Sequence, residues 1–210
     1  MKLLVATRSG HKMSEIRQIL AEVPDLDLLS LDDAGVAPSA AEDELEPFDT
    51  FEQNARSKAE HFHRITGLST VADDSGLEVD FLGGEPGVRS KRFAPEEGLE
   101  GLERDLANNR HLLRLLQAVP LEERTARYVC VAWLVREDGE SHSFRGEAPG
   151  VIVDDPRGSG GFGYDPHVVD PELGCTYSEM PAEEKNRRSH RGRAFGELRK
   201  LLAAMATSSP

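Results

Sequence analysis

One run of residues constrains the fold more than any other. The stretch "RYVCVAWLV", residues 127–135, is almost continuously apolar and rich in β-branched and aromatic side chains. A strand with one face in water alternates apolar and polar residues, whereas a continuous apolar run is typical of a strand buried on both faces. We therefore expect a central strand that is covered on both sides by other elements.

The remaining patterns predict helices and strands that alternate early in the chain, with strands clustered later. Strands are predicted at 2–6, 68–72, 77–82, 141–145, 151–153 and 167–169, with the second and third separated by a turn at "DDSG". Helices are predicted from about Met13 to Leu20, over 50–66, over 99–116 with a leucine face, and at the end of the chain. Leu99, Leu102, Leu106, Leu113 and Leu116 form that predicted face. This order is typical of an α/β protein with a mixed sheet, and we expect one domain over residues 1–210.

Charge and cysteine content limit the partners of the chain. The net charge of −13 opposes binding to a nucleic acid polymer or to an anionic membrane. A phosphate-bearing small molecule would therefore need local basic groups or a metal ion. Two cysteines, Cys130 and Cys175, suit a reducing compartment, and "MKLLVA" lacks the apolar stretch of a signal peptide. We expect a cytoplasmic protein.

A glycine-rich stretch, "PRGSGGFGYDP", satisfies G-x-G-x-x-G but not the context of a dinucleotide-binding loop. A dinucleotide-binding loop follows a strand directly and opens a helix. Here Asp154, Asp155 and Pro156 separate the glycines from the preceding apolar run, and Pro166 follows the glycines. Two interpretations stay open: a loop that lets the backbone approach a flat ligand beside an aromatic ring, or a hairpin with its aromatic residues in the core.

Three further segments combine polar residues with strand ends or helix starts. In "ATRSGHK" a strand leads into a helix start, where free N–H groups and Lys12 suit an anion. In "VADDSG" the carboxylates of Asp73 and Asp74 suit Mg²⁺, although an ordinary turn explains the same letters. In "EEKNRRSHRGR" five basic residues crowd an otherwise acidic chain, as an anion site or as a solvated helix face.

In this order the segments resemble one known family. The series "ATRSGHK", "TFEQNARSKA", "VADDSGLEVDFLGGEPGVRSKRF", "GSGGFGYDP" and "EEKNRRSHRGRAF" closely resembles the inosine triphosphate pyrophosphatase family, known in bacteria as noncanonical purine NTP pyrophosphatases. The resemblance implies an elongated α/β fold with a mixed sheet and two lobes around a central cleft. It also implies a homodimer that uses Mg²⁺ to hydrolyse ITP, dITP and XTP to the monophosphate and pyrophosphate.

The resemblance also implies a role for each matching residue. Asp74, Lys12 and Lys58 would be catalytic, and Asp74 and Glu46 would hold the metal, with Glu44 as the alternative to Glu46. Substrate binding would involve two further sets of residues. The triphosphate set is Thr7, Arg8, Ser9, Gly10, His11, Lys12 and Ser75. The base set is Phe162, Gly163, Tyr164, Asp165, Lys185, His190 and Arg191.

Two positions depart from the family pattern. Ser9 stands where the family usually has asparagine, and Gln53 stands where it usually has glutamate. The alternative enzyme class is a Maf-type nucleotide pyrophosphatase. The alternative outside catalysis is a nucleotide-binding protein in which Ser9 and Gln53 mark the loss of the metal site.

Overall fold

The computed structural model describes residues 1–208, so the last two residues of the predicted domain 1–210 lie outside the described residues. The strands are β1 (Lys2–Val5), β2 (Asp27–Leu29), β3 (Thr70–Val79), β4 (Thr125–Val135), β5 (Ser141–Ile152) and β6 (Val168–Val169). The α-helices are α1 (Gly10–Leu20), α2 (Phe51–Thr66), α3 (Gly101–Leu115), α4 (Ala182–Arg188) and α5 (His190–Ser208). Short 3-10 helices cover Ala40–Glu44, Asp80–Leu82, Gly87–Arg92, Leu121–Glu123 and Asp165–His167.

The strands form a mixed sheet in the order β2-β1-β3-β4-β5-β6. Strand β1 pairs in parallel with β2 and β3, while β6 pairs antiparallel with β5. Strand β4, predicted from the apolar run at 127–135, lies in the interior of this order with most of its side chains buried. The expected α/β class with a mixed sheet and flanking helices is therefore confirmed.

The chain divides into two compact units. Unit 1 contains residues 1–74, 130–146 and the described residues from 190 onward, and unit 2 contains residues 75–129 and 147–189. Two apolar clusters lie in unit 1, one where α1 and α5 pack beneath the sheet and one around Phe62 of α2. A third cluster lies in unit 2 and includes Leu112 of α3 and Tyr164. Each unit thus has its own core.

Helix α1 begins at Gly10, three residues before the predicted start near Met13, because Ser9 caps it. The Ser9 side chain accepts a hydrogen bond from the Lys12 N–H at 3.3 Å, which satisfies one of the N–H groups that a helix start leaves without a partner. The buried face of α1 consists of Met13, Ile16, Ile19 and Leu20, as the helical spacing predicts. Helix α2 buries the predicted Phe51, Ala55, Ala59 and Phe62.

Strand β3 corrects one expectation. A turn was predicted at "DDSG", but the chain continues as one strand from Thr70 to Val79. Asp, Ser and Gly favour turns by local hydrogen bonding. Here ion pairs hold Asp73, and the Leu77 N–H donates to Oγ of Ser90 at 2.8 Å. Strand β5 likewise includes the predicted separate strand at 151–152.

Helix α3 corrects a second expectation from the sequence. Leucines were predicted to form its buried face, yet Leu102 is 72% exposed and Leu106 is 47% exposed. The buried residues of α3 are Ala107, Asn108, Asn109 and Leu112. Of the predicted leucines, Leu116 is buried and Leu113 packs partly against the core, so the predicted face is wrong at Leu102 and Leu106 only.

Candidate functional site

The segment Thr7–Lys12 turns from β1 into α1. The Thr7 hydroxyl accepts a hydrogen bond from the Ser9 N–H at 3.1 Å, and Ser9 in turn caps the helix. Serine and asparagine are both good N-cap residues, so the departure from the family pattern at Ser9 leaves α1 with a cap. The segment therefore presents a capped helix start with Lys12 in its first turn.

The Arg8 side chain is bound by other residues of the protein. Its guanidinium donates to both carboxylate oxygens of Glu42, at 3.1 and 2.8 Å, and to the Val36 carbonyl at 2.9 Å. It also pairs with Asp32 at 3.0 Å. These contacts fasten the acidic segment before α2 to the turn after β1. The predicted contact between Arg8 and phosphate stays a prediction.

A buried cluster of charges surrounds Asp73. Its Oδ2 atom lies 2.9 Å from Nζ of Lys12 and 3.2 Å from Nη2 of Arg191, and Arg191 also pairs with Glu15 at 2.6 Å. Burial alone would raise the pKa of Asp73, but the charges of Lys12 and Arg191 outweigh it and hold that pKa well below its usual range. Asp73 is therefore a permanent carboxylate that holds two cations.

Asp74, the next residue, has the opposite environment. Burial is the largest effect and the Glu46 carboxylate adds to it, and together they raise the pKa of Asp74 to about 6 despite the nearby Lys12 and Lys58. The Asn54 side chain donates to Oδ2 of Asp74 at 3.0 Å and fixes its orientation. Two adjacent aspartates thus differ sharply in their affinity for a proton.

Lys58 connects this cluster to the segment before α2. Its ammonium donates to the Asp73 carbonyl at 2.6 Å and pairs with the Glu46 carboxylate. Burial would lower the pKa of Lys58, but the charges of Glu46 and Asp73 raise it overall, so it stays protonated. The structure therefore brings together Lys12, Lys58, Asp74 and Glu46.

The donor set around Asp74 fits a hard divalent cation. Within residues 1–208, no group of three or more His, Cys, Asp or Glu side chains is arranged to hold a metal ion by itself. Mg²⁺, however, is commonly bound by one or two carboxylates, with water and substrate phosphates as the other ligands. The Glu46 carboxylate raises the pKa of Asp74, and a cation bound between the two carboxylates would remove that repulsion. Glu44 ends a 3-10 helix and is exposed.

The glutamine that departs from the family pattern has a structural contact. Gln53 accepts a hydrogen bond from the Thr50 hydroxyl at 2.9 Å, and its own N–H donates to that hydroxyl at 3.3 Å. These bonds cap the start of α2. Gln53 therefore orders the helix that carries Asn54 and Lys58.

In unit 2, Asp165 organises the glycine-rich turn. Its Oδ2 atom accepts from the Phe162 N–H at 3.0 Å and from Nζ of Lys185 at 2.8 Å, while Oδ1 accepts from the Tyr128 hydroxyl at 3.0 Å. Burial and the Asp165 carboxylate raise the pKa of Tyr128, so its phenol stays protonated and donates. Asp165 is 4% exposed. It therefore holds the turn and Lys185 in one arrangement.

Phe162 and Lys185 lie next to each other in this turn. Nζ of Lys185 lies 5.1 Å from the centroid of the Phe162 ring, within the range of a cation–π interaction. Gly161 has φ +71°, and a side chain there would collide with the Asp165 carboxylate. The absence of a side chain at Gly161 thus allows the backbone to wrap around Asp165. The sequence alone left two interpretations of this stretch open, a ligand loop and a packed hairpin.

The remaining predicted residues lie in several different elements. His190 begins α5 and is buried, Ser75 lies within β3 and is half-buried, and Tyr164 is buried with its hydroxyl donating to the Ser90 carbonyl at 2.8 Å. Arg191 lies in unit 1 with Asp73, so its predicted contact with the base stays a prediction. The sequence missed Tyr128, because the buried strand that carries it has no polar motif.

Comparisons with known proteins agree over nearly the whole chain. A sequence model of the Ham1 family matches residues 3–201. A dITP/XTP pyrophosphatase of Geobacter sulfurreducens is 48% identical over 96% of this chain and 96% of its own length. Another, of Thermus thermophilus, is 42% identical over 100% of this chain and 94% of its own length.

A solved structure shows the same similarity in three dimensions. A HAM1 protein from Coxiella burnetii superposes with a TM-score of 0.82 at 31% identity, covering 97% of this chain and 99% of the other. The motifs, the fold and the relatives agree, and the chain belongs to the Ham1 family.

Proposed function

We propose that this chain hydrolyses dITP, ITP and XTP to the nucleoside monophosphate and pyrophosphate, and so removes deaminated purines from the nucleotide pool. Relatives at 42–48% identity are dITP/XTP pyrophosphatases. The observation that carries the proposal is the arrangement of two adjacent aspartates: Lys12 and Arg191 pair with Asp73, while Asn54 orients Asp74 beside Glu46 and Lys58.

The triphosphate binds to residues of unit 1. Lys12 lies in the first turn of α1, where the N–H groups of a helix start also favour an anion. Lys58 supplies a second ammonium, held by the Asp73 carbonyl. These two ammonium groups place positive charge at the site in a chain whose net charge of −13 would otherwise repel a triphosphate.

Asp74 and Glu46 hold Mg²⁺ in this proposal. The bound ion would neutralise phosphate charge and polarise the phosphoryl group. Asn54 fixes the orientation of the Asp74 carboxylate by donating to Oδ2. Asp74 thereby positions a water molecule and accepts its proton as the oxygen attacks the phosphorus next to the nucleoside.

Phe162 stacks on the plane of the purine in this proposal. Lys185 lies beside that ring and donates to Asp165, and an ammonium has three donors. A donor directed at a 6-oxo oxygen meets the 6-amino group of adenine poorly, and leaving buried donors without partners is costly. The turn therefore favours hypoxanthine and xanthine over adenine.

The family resemblance supports two further proposals, a homodimer and a cytoplasmic location. Cys130 and Cys175 are both free thiols, which suits a reducing compartment. No helix within the described residues is long and apolar enough to cross a membrane.

A substrate panel tests the proposed function. The protein is incubated with dITP, XTP, dATP or dGTP and Mg²⁺, and nucleotide products and pyrophosphate are quantified, with EDTA in parallel. We expect monophosphate and pyrophosphate in equal amounts, kcat/KM for dITP roughly 100-fold or more above that for dATP, and no turnover in EDTA. Binding of dITP without turnover would instead identify a nucleotide-binding protein, and release of single phosphates would contradict the reaction.

A further inference from the structure

Helix α3 holds both polar backbone groups of Gly163. The Gly163 N–H donates to Oδ2 of Asp105 at 2.9 Å, and the Gly163 carbonyl accepts from Nδ2 of Asn109 at 3.0 Å. Asp105 and Asn109 are four residues apart, so their side chains lie on the same face of the helix. One helix face therefore fixes the peptide groups on both sides of Gly163.

Gly163 needs such support because its own geometry does not restrict it. Its φ is +63°, and nothing lies within 4 Å of the position that a Cβ atom would occupy. Glycine loses more conformational freedom on ordering than any other residue. Asp165 holds the Phe162 N–H from within the turn, and the contacts from α3 add restraint at Gly163, between Phe162 and Tyr164.

Helix α3 also acts on Tyr164, the residue after Gly163, through the Ser90 carbonyl. The Tyr164 hydroxyl donates to the Ser90 carbonyl at 2.8 Å, and Nδ2 of Asn108 donates to that carbonyl at 3.2 Å. Oδ1 of Asn108 accepts from the Ala94 N–H at 2.9 Å, so both ends of this amide have partners. Asn108 thus holds the Ser90 carbonyl that accepts the hydrogen bond of the Tyr164 hydroxyl.

Asn109 differs from Asn108, because its amide is buried and only half satisfied. The residue is 6% exposed, and its Oδ1 atom has no hydrogen-bond partner among the described residues. A buried acceptor without a partner lowers stability. An apolar residue at 109 would avoid this cost beside Leu112, so the observed asparagine is explained by its contact with Gly163 rather than by core packing.

From these contacts we propose that Asp105 and Asn109 are positioning residues for the purine-binding turn. They orient Phe162 through Gly163 without touching the nucleotide. The inference rests on the proposed function, in which that turn binds the base. Neither residue belongs to the sequence motifs that identify the family site.

Kinetics of Asn109→Leu and Asp105→Ala with dITP test the inference. A misdirected turn weakens base binding, so we expect KM for dITP to rise roughly tenfold with kcat changed less than about twofold. Thermal unfolding of Asn109→Leu should stay within about 3 °C of wild type, because the lost hydrogen bond is offset by apolar burial. Asp105→Asn retains an acceptor for the Gly163 N–H and should restore most of the affinity lost in Asp105→Ala.

Glu103→Gln, at an exposed position of the same helix, is the matched control and should behave as wild type. An unchanged KM in both Asn109→Leu and Asp105→Ala, with wild type active on dITP, would overturn the inference alone. Equal KM values for Asp105→Ala and Asp105→Asn would also overturn the hydrogen-bond explanation. Failure of wild type to hydrolyse dITP would overturn the proposed function, and the inference with it.

Discussion

Lys12 and Arg191 bind the same carboxylate oxygen of Asp73, at 2.9 and 3.2 Å. Arg191 is 1% exposed, and Asp73 is also 1% exposed, so both charges depend on each other for compensation. This ion pair leaves Asp74, one residue later, as the carboxylate with a raised pKa. The adjacent aspartates therefore differ in environment: Asp73 holds protein cations, and we propose that Asp74 binds the metal ion and accepts a proton.

Replacing Asp73 by asparagine should destabilise the protein. Lys12 and Arg191 would lose the charge that compensates them, which costs about 3 kcal/mol of unfolding free energy at pH 7. The folded-state pKa of Asp73 lies below its unfolded value, so its stabilisation is present above pH ~4 and is lost progressively as the pH falls further. Denaturant unfolding of both proteins at pH 7 and pH 3 measures this, and an equal difference at both values would refute it.

Replacing Asp74 by asparagine should have the opposite effect on stability when no metal is present. The folded-state pKa of Asp74 is raised to about 6. Ionisation of Asp74 therefore lowers the free energy of unfolding fully above pH ~6 and leaves it unchanged below pH ~4. We expect Asp74→Asn in EDTA to gain about 3 kcal/mol of unfolding free energy at pH 8 and almost none at pH 4. Added Mg²⁺ should stabilise wild type more than Asp74→Asn. A less stable Asp74→Asn at pH 8 would contradict the assigned environment.

Arg8 should influence metal use through Glu42 rather than bind phosphate. Arg8→Ala would release the segment that leads to Glu46, and we expect the Mg²⁺ concentration for half-maximal rate to rise several-fold. Glu42→Gln weakens the same contact and should act alike. Asp32→Asn is the control, because the Asp32 side chain is 86% exposed. If Arg8→Ala raises KM for dITP while Glu42→Gln has no effect, Arg8 binds phosphate directly.

Gly161→Ala should damage the purine-binding turn. A Cβ atom there would collide with the Asp165 carboxylate, and the φ of +71° disfavours any side chain. We expect a rise in KM for dITP of at least about tenfold. Gly174→Ala has a similar φ of +68° in open space, and it separates backbone strain from the collision. Equal kinetic effects of the two substitutions would show that the contact with Asp165 is unimportant.

Motifs in the sequence predicted the main charged residues, since strand ends and helix starts gather polar groups. Lys12, Lys58, Asp74 and Glu46 come from four separate segments, and the structure brings them together. The turn predicted beyond Asp74 was wrong, because local propensity cannot register ion pairs to residues far along the chain. The parallel pairing of β1 with β3 supplies that long-range context.

Helix α3 shows why positioning residues escape sequence analysis. Its leucines suggested one face, but Leu102 and Leu106 are exposed while Asn108 and Asn109 are buried. Polar residues on a buried face are recognisable only from their partners, here the backbone of residues 90 and 163. Tyr128 is similar, because its importance lies in one hydrogen bond to Asp165.

Turnover of dITP by Asp74→Asn in Mg²⁺ tests the central claim most directly, because the substitution removes a charge while Asn54 can still donate to the side-chain oxygen. Pyrophosphate release is measured for wild type and Asp74→Asn at saturating dITP, with circular dichroism to show that both are folded. We predict a fall in kcat of at least about 1,000-fold, since both the metal ligand and the proton acceptor are lost. A folded Asp74→Asn protein with turnover within tenfold of wild type would contradict the account.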